Sequence, residues 1–195
     1  MIQSIFVNNF YSLFTAPNKE EIFKGLKDAK VDTIASERIC WNKKCNVNVE
    51  VLEGNEIGDL FVPSLKVFFE EIGTKVGKME FCEIWRNTYH KGGHQEIHDH
   101  CNGSGEVDLS GCFFLEDVDK DGGRFYFYNR HASEVNLVWR KILSSFYSVD
   151  NMLTYDIMPK AGDVLLFPSY LLHGVTPHTL RKPRTTVTFN MKFLR

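Results

Sequence analysis

Four of the chain's seven histidines fall between Tyr89 and His100, in Tyr-His-Lys-Gly-Gly-His-Gln-Glu-Ile-His-Asp-His. In an extended strand, residues two apart share a face, so His98 and His100 can grip one ion while Asp99 points the other way. A third donor has to come from elsewhere. His173 supplies it, at the end of the run Gly-Asp-Val-Leu-Leu-Phe-Pro-Ser-Tyr-Leu-Leu-His, and Arg184 follows eleven residues later in Arg-Thr-Thr-Val-Thr-Phe-Asn. Three imidazoles leave coordination positions open on an iron-type ion. An arginine on the adjoining strand is a planar, permanently charged clamp for a carboxylate. Two residues compete for the third ligand position: Glu96, on the same strand face, and Asp99, which can coordinate only if the strand bulges there. The remaining histidines, His90, His94, His131 and His178, read as surface or satisfied core residues.

These groups need a rigid frame, and the texture from Lys78 onward supplies one. Short strands separated by turn residues are expected at 80–90, 95–101, 109–116, 123–128, 152–158, 163–167, 171–176 and 184–193, which signals a sandwich or barrel. A run at 133–147, with Ser133 as cap and Val135, Val138, Ile142 and Phe146 on one face, reads as one inserted helix lying over the barrel mouth. Along the last strand Arg184, Thr186, Thr188, Asn190 and Lys192 share one face, and Thr185, Val187, Phe189, Met191 and Phe193 the other. If the apolar face packs under amino-terminal helices, the polar one lines the interior. Trp85, Asn87 and Tyr89 alternate onto one face and are candidates to line the pocket.

Before residue 78 the chain reads as support. Asn18 with Glu21 three residues on forms a capping-box pattern for a helix carrying Ile22, Phe23, Leu26 and Ala29 on one side. Pro63 and Ser64 open a second helix with Leu65, Phe68, Phe69, Ile72 and Val76 at helical spacing. Residues 30–55 read as irregular apart from a strand at 47–52. The 195 residues, 43% apolar and 13% aromatic, fit one domain, with a helical support region at 1–77 and a β core at 78–195.

Composition removes several classes of function. A net charge of −2 without a basic stripe argues against nucleic-acid binding. No segment has the length of a membrane span, and the amino terminus lacks the basic and apolar regions of a leader. Cys40, Cys45, Cys82, Cys101 and Cys112 are odd in number and irregular in spacing, which fits reduced thiols and a cytoplasmic protein.

Taken in order, the motifs from Trp85 to Asn190 resemble the Fe(II)- and 2-oxoglutarate-dependent dioxygenases, in particular the prolyl-hydroxylase-like branch and its small microbial and phage relatives. The matching stretches are Tyr89 with Gly92 and Gly93, His98, Leu115 through Gly123, Gly162 to Pro168, His173, and Arg184 with Thr186. Ser-Leu-Phe-Thr-Ala-Pro near the amino terminus and Trp-Arg-Asn-Thr-Tyr are also similar to the small members. The resemblance implies a mainly β (α+β) chain built as a double-stranded β-helix, or jelly roll. It implies Fe(II) on His98, His100 and His173, and 2-oxoglutarate held by Arg184 with help from Thr186 and Tyr89. Dioxygen and 2-oxoglutarate would be consumed, succinate formed, and a substrate hydroxylated, either a protein side chain such as proline or a small metabolite. Two positions depart from the family pattern: His100 stands where an aspartate is usual, and Phe114 where a tyrosine is usual. Tyr89 and Tyr126 are both candidates for the missing phenol, and Tyr126 and Asn190 join Trp85 and Asn87 as candidate pocket residues.

A second family is similar over less of the pattern. Gly92-x5-His98-x-His100 and Gly162-x5-Pro168-x4-His173 resemble the two cupin motifs, which implies a three-histidine thiol dioxygenase or a zinc hydrolase-like protein. Arg184 and Thr186 have no evident role in that reading. A metal-binding relative without catalysis is the third.

Overall fold

The computed structural model describes residues 9–39, 41–75, 77–101, 107–118, 122–131 and 153–194. The helix expected at 133–147 lies outside the described residues.

Alternation of large apolar and small or polar residues builds the larger of two antiparallel sheets. In it β6 (Leu109–Phe114) sits between β9 (Asp163–Pro168) and β11 (Arg184–Leu194), and β11 pairs on its other side with β4 (Lys78–Tyr89). β1 (Ser12–Thr15) closes one edge against β9, while β3 (Val47–Leu52) and β2 (Val31–Asp32) extend the other beyond β4. The amino-terminal region therefore gives three strands to this sheet, besides its helices. A smaller sheet orders β5 (Gln95–His98), β10 (His173–Val175), β7 (Phe125–Tyr128) and β8 (Thr154–Ile157). Two antiparallel sheets packed face to face are the layout expected of a double-stranded β-helix.

Both faces of the larger sheet are covered, by different partners. Val187, Phe189 and Met191 of β11, Phe113 of β6 and Val164 and Leu166 of β9 pack under α1 (Lys19–Lys27) and α5 (Val62–Glu71), against Ile22, Leu26, Leu65 and Phe68. The alternate residues Cys112, Phe114, Leu165 and Phe167 face the smaller sheet and meet Phe125, Ile157 and Val175. Phe189 can enter this layer because its cross-strand partner is Gly111, where an added Cβ would stand 2.2 Å from the Phe189 ring. Fully burying an aromatic ring of this kind stabilises the fold by roughly 2–3 kcal/mol.

The helices differ in detail from the sequence reading. Asn18 precedes α1 without a side-chain cap: its Nδ2 donates to the Leu60 carbonyl at 3.0 Å and reaches Glu21 Oε2 at 3.5 Å. A tertiary contact has replaced the local cap. Residues 30–55 also hold α2 (Thr33–Arg38), capped by Asp32 Oδ1 accepting from the Ala35 N–H at 2.9 Å, and the single turn α3 (Asn42–Cys45). A further short helix, α4 (Asn55–Asp59), precedes α5. Lys192 leaves the interior at the end of β11 and pairs with Glu80 at 3.4 Å. Among the described residues no helix is long and apolar enough to cross a membrane.

Candidate metal centre

The smaller sheet brings the histidines together by register. His173, first residue of β10, pairs directly with His98, last residue of β5, so the two rings meet at a centroid distance of 4.3 Å. His100 lies beyond the end of β5, in a bend fixed by its N–H donating to the Ser169 carbonyl at 2.9 Å. The expected strand over 95–101 thus stops at His98, yet His100 still faces inward. Its ring lies 5.2 Å from His98 and 4.9 Å from His173, and one donor atom from each of the three imidazoles falls within 4.8 Å of the others.

Each ring is oriented by an acceptor on its Nδ1. His98 Nδ1 faces the Glu96 carbonyl and His173 Nδ1 the Leu171 carbonyl, both at 2.8 Å. A carbonyl only accepts, so both Nδ1 atoms carry the proton and both Nε2 atoms keep a lone pair, the second-layer arrangement that prepares a ligating histidine. His100 Nδ1 donates to a pair of buried side chains, with Asn190 Oδ1 and Ser110 Oγ each at 2.7 Å, and the Ser110 hydroxyl donates to the same Asn190 oxygen at 2.9 Å. Burial keeps the rings neutral. It pushes His100 down to about 4, with His98 adding to the effect, and lowers His98 and, more strongly, His173. Neutral imidazoles with inward lone pairs are a donor set for a divalent ion.

The rival carboxylates are engaged elsewhere. Asp99 accepts the Cys101 N–H at 3.1 Å and pairs with Arg130 at 3.5 Å, and Glu96 contributes its backbone carbonyl to His98 while its side chain is exposed. Neither belongs to the cluster of close donor atoms.

Arg184 opens β11 opposite Tyr89 of β4, and the pairing continues along the strands as Thr186 with Asn87, Thr188 with Trp85 and Asn190 with Glu83. Arg184, Thr186 and Thr188 with Tyr89, Asn87 and Trp85 make one wall of a narrow channel whose other walls carry the three histidines, Phe114, Phe125, Phe167 and Val175. The Arg184 guanidinium is 3% exposed, lies 4.6 Å over the Tyr89 ring, and has no hydrogen-bond partner on Nε, Nη1 or Nη2. A buried, unpaired cation is a costly arrangement that calls for an anion. Thr186, 2% exposed, lies beside it on the same face of β11, and the Tyr89 phenol, raised by burial, stays protonated and donates to Gln95 Oε1 at 3.2 Å. Arg181, the other arginine of this region, is exposed in the preceding turn.

The two candidate phenols lie on different faces. Tyr89 lies in the channel, whereas Tyr126 alternates with Phe125 and Phe127 along β7 and so takes the outer face, where its hydroxyl would meet a Cβ added at Gly174 at 2.7 Å. Tyr126 is therefore not a pocket residue. Trp85, Asn87 and Asn190 do reach the interior, and Asn190 acts through His100 as well as lining space. Asn87 Nδ2 donates to Thr188 Oγ1 at 3.0 Å, and its Oδ1 is buried without a partner.

Sequence reasoning missed Gln95. A register shift between His173 and Val175 opens a bulge in β5 that turns Gln95 inward with His98, three residues on, so that their Nε2 atoms stand 3.2 Å apart. It also passed over Ser110, whose only sequence signal is a small polar residue in an otherwise apolar strand. His178 is a buried structural residue, with Nε2 donating to the Lys182 carbonyl at 2.7 Å.

A wider cavity of about 620 Å³ adjoins the channel at Trp85, Gln95, His98 and His100. The histidines thus stand where a deep anion-seeking channel meets an open space large enough for a small molecule or a side chain.

Comparison with known proteins agrees with this geometry. Residues 83–190, more than half the chain, match the family model described as "Putative 2OG-Fe(II) oxygenase". A comparison with curated proteins returns no match. Among solved structures, a 2OG-Fe(II) oxygenase family oxidoreductase from Burkholderia pseudomallei is 13% identical with a TM-score of 0.63, covering 93% of this chain and 84% of that one. A prolyl-4-hydroxylase from Pseudomonas putida is 11% identical with a TM-score of 0.56, over 96% and 95% of the two chains. The viral collagen prolyl hydroxylase of Paramecium Bursaria Chlorella virus-1, solved with 2OG, is 13% identical with a TM-score of 0.58, over 96% and 98%. At these identities the structures attest the jelly-roll fold, and the family model attests the lineage. The chain belongs to the 2OG-Fe(II) oxygenase family and is an oxidoreductase that depends on Fe(II) and 2-oxoglutarate.

Proposed function

We propose that His98, His100 and His173 hold Fe(II), that Arg184 with Thr186 and Tyr89 holds 2-oxoglutarate, and that the substrate to be hydroxylated enters the cavity beside His98 and His100. The observation that carries this reading is the Arg184 guanidinium, buried with three unpartnered nitrogens in the channel that also holds the three imidazoles. A dicarboxylate that reaches from the ion to Arg184 answers both, since guanidinium and carboxylate pair through two parallel hydrogen bonds.

When bound, the ion and the cosubstrate supply the activation of dioxygen, with 2-oxoglutarate oxidised to succinate and carbon dioxide. The chain's own residues set the conditions. Tyr89 backs the guanidinium through its ring, and Thr186 offers a hydroxyl beside it. Phe114, Phe125, Phe167 and Val175 exclude water from the channel and strengthen the charge pairing inside it. The Glu96 and Leu171 carbonyls and the Asn190–Ser110 pair aim the three rings. With no carboxylate among the donors, the ion keeps its full double charge, which favours a dianionic cosubstrate.

The same donor set favours a second reading, a three-histidine cupin-type metalloprotein. Anaerobic titration of the metal-free protein with Fe(II) and then 2-oxoglutarate decides between them. A visible charge-transfer band that needs both additions, followed by succinate on admitting air, supports the oxygenase assignment. Tight metal binding with no 2-oxoglutarate-dependent band overturns it in favour of the cupin-type site.

A further inference from the structure

We infer that the substrate presents a cationic group, a primary ammonium or a guanidinium, to the cavity beside His98 and His100. The inference rests on the oxygenase reading above and concerns the half of the site that reading leaves without a ligand.

The inward face of β4 carries the argument. From the Arg184 end outward it reads Tyr89, Asn87, Trp85 and Glu83, opposite Arg184, Thr186, Thr188 and Asn190 of β11. Six residues of extended strand span roughly 20 Å. Along that length the wall passes from a buried guanidinium to an indole and then to a carboxylate, with the histidines facing its middle. The polarity of the site therefore reverses across the metal centre.

The cavity at the outer end keeps this sign. Its lining includes Glu83, Glu96 and Asp99 together with Trp41 and Trp85, and among the described residues it includes no lysine or arginine. Asp99 is paired at the rim with Arg130, whose side chain is 52% exposed. Glu83 and Glu96 have no ion-pair partner among the described residues. Trp85 stands 6.2 Å from the His100 ring, so a group resting on its face is held next to the metal centre. Indole faces and carboxylates are the two surfaces that attract a cation, the first through the ring quadrupole and the second through charge. The same lining repels a second dicarboxylate, so 2-oxoglutarate is directed to the Arg184 end and the substrate to the other.

The test uses the protein loaded anaerobically with Fe(II) and 2-oxoglutarate, reading the change in the visible band as matched probes are added. The pairs are L-lysine against Nε-acetyl-L-lysine and L-arginine against L-citrulline, each as the free amino acid, where the α-ammonium is common to both members and the comparison reads the side-chain group alone, and within a tripeptide blocked at both ends. The charged member of at least one pair is expected to perturb the band at a concentration tenfold or more below its neutral isostere. Glu83→Gln and Glu96→Gln should each shrink that preference about fivefold, and added salt should shrink it in the unaltered protein. A response to the free amino acid alone marks a metabolite, and one to the blocked tripeptide marks a side chain of a polypeptide. A band perturbed equally by charged and neutral members, or by neither, overturns the inference while leaving the oxygenase assignment standing. Absence of the band itself overturns that assignment and this inference with it.

Discussion

Replacing Arg184 with Met removes the guanidinium while keeping an unbranched stem of similar reach. In the ligand-free protein that guanidinium is 3% exposed with three unpartnered nitrogens, and burial draws its affinity for a proton below the usual arginine value. Desolvation of such an ion carries a penalty of several kcal/mol. Its stacking on Tyr89 at 4.6 Å returns about 2 kcal/mol. The difference predicts that Arg184→Met stabilises the ligand-free fold by about 1–3 kcal/mol, or roughly 2–10 °C in a domain of this size. The effect of 2-oxoglutarate should run the other way. At 100 times its Kd the cosubstrate adds about 2.7 kcal/mol to the parent, and in the variant that shift should vanish while metal binding persists. Differential scanning fluorimetry with Mn(II), with and without 2-oxoglutarate, reads both quantities. A variant destabilised by more than about 2 kcal/mol that still shows the 2-oxoglutarate shift would mean that Arg184 is a structural cation, and the argument from its missing partners would fail.

Two further outcomes follow from the histidine surroundings. Asn190→Ala removes the oxygen that accepts from both His100 Nδ1 and Ser110, and should weaken metal binding about 10- to 100-fold, measured by competition with a chelator. Asn190→Asp, which keeps an acceptor there, should recover most of the loss; equal weakening in both variants would show that Asn190 serves packing alone. The second outcome concerns pH. His100 is pushed down to about 4 by burial, and His98 and His173 are lowered too, so between pH 6.5 and 4 the unfolded chain takes up protons that the folded, metal-free chain refuses. Stability of the metal-free protein should fall as pH drops through that window, by a few kcal/mol in urea titrations at pH 7.5, 6 and 5. A flat profile would show the rings to be more solvated than their packing implies.

The parts of the site that were legible in the sequence are those set by strand alternation and by residue type. Arg184, Thr186, Thr188 and Asn190 face inward because Val187, Phe189 and Met191 must face the helices, and a period of two leaves no other choice. What stayed hidden depends on breaks in that period. The expected strand over 95–101 put His98 and His100 on one inward face through an incomplete picture: β5 ends at His98, and His100 is brought inward by the Ser169 carbonyl, 69 residues away in the chain. A strict pleat would also turn Gln95 outward with Ile97. The bulge turns it inward instead, so its amide meets both the Tyr89 phenol and His98. Tyr126 fails for the reverse reason, since β7 keeps an unbroken pleat and Phe125 and Phe127 already claim its inner face. A bulge is selected by which partners the two sheets present to each other, and neither Gln95 nor its neighbours carry a local signal for it. Ligand identity in such a site can therefore be read from spacing, whereas the residues that orient the ligands emerge only once the two sheets are paired.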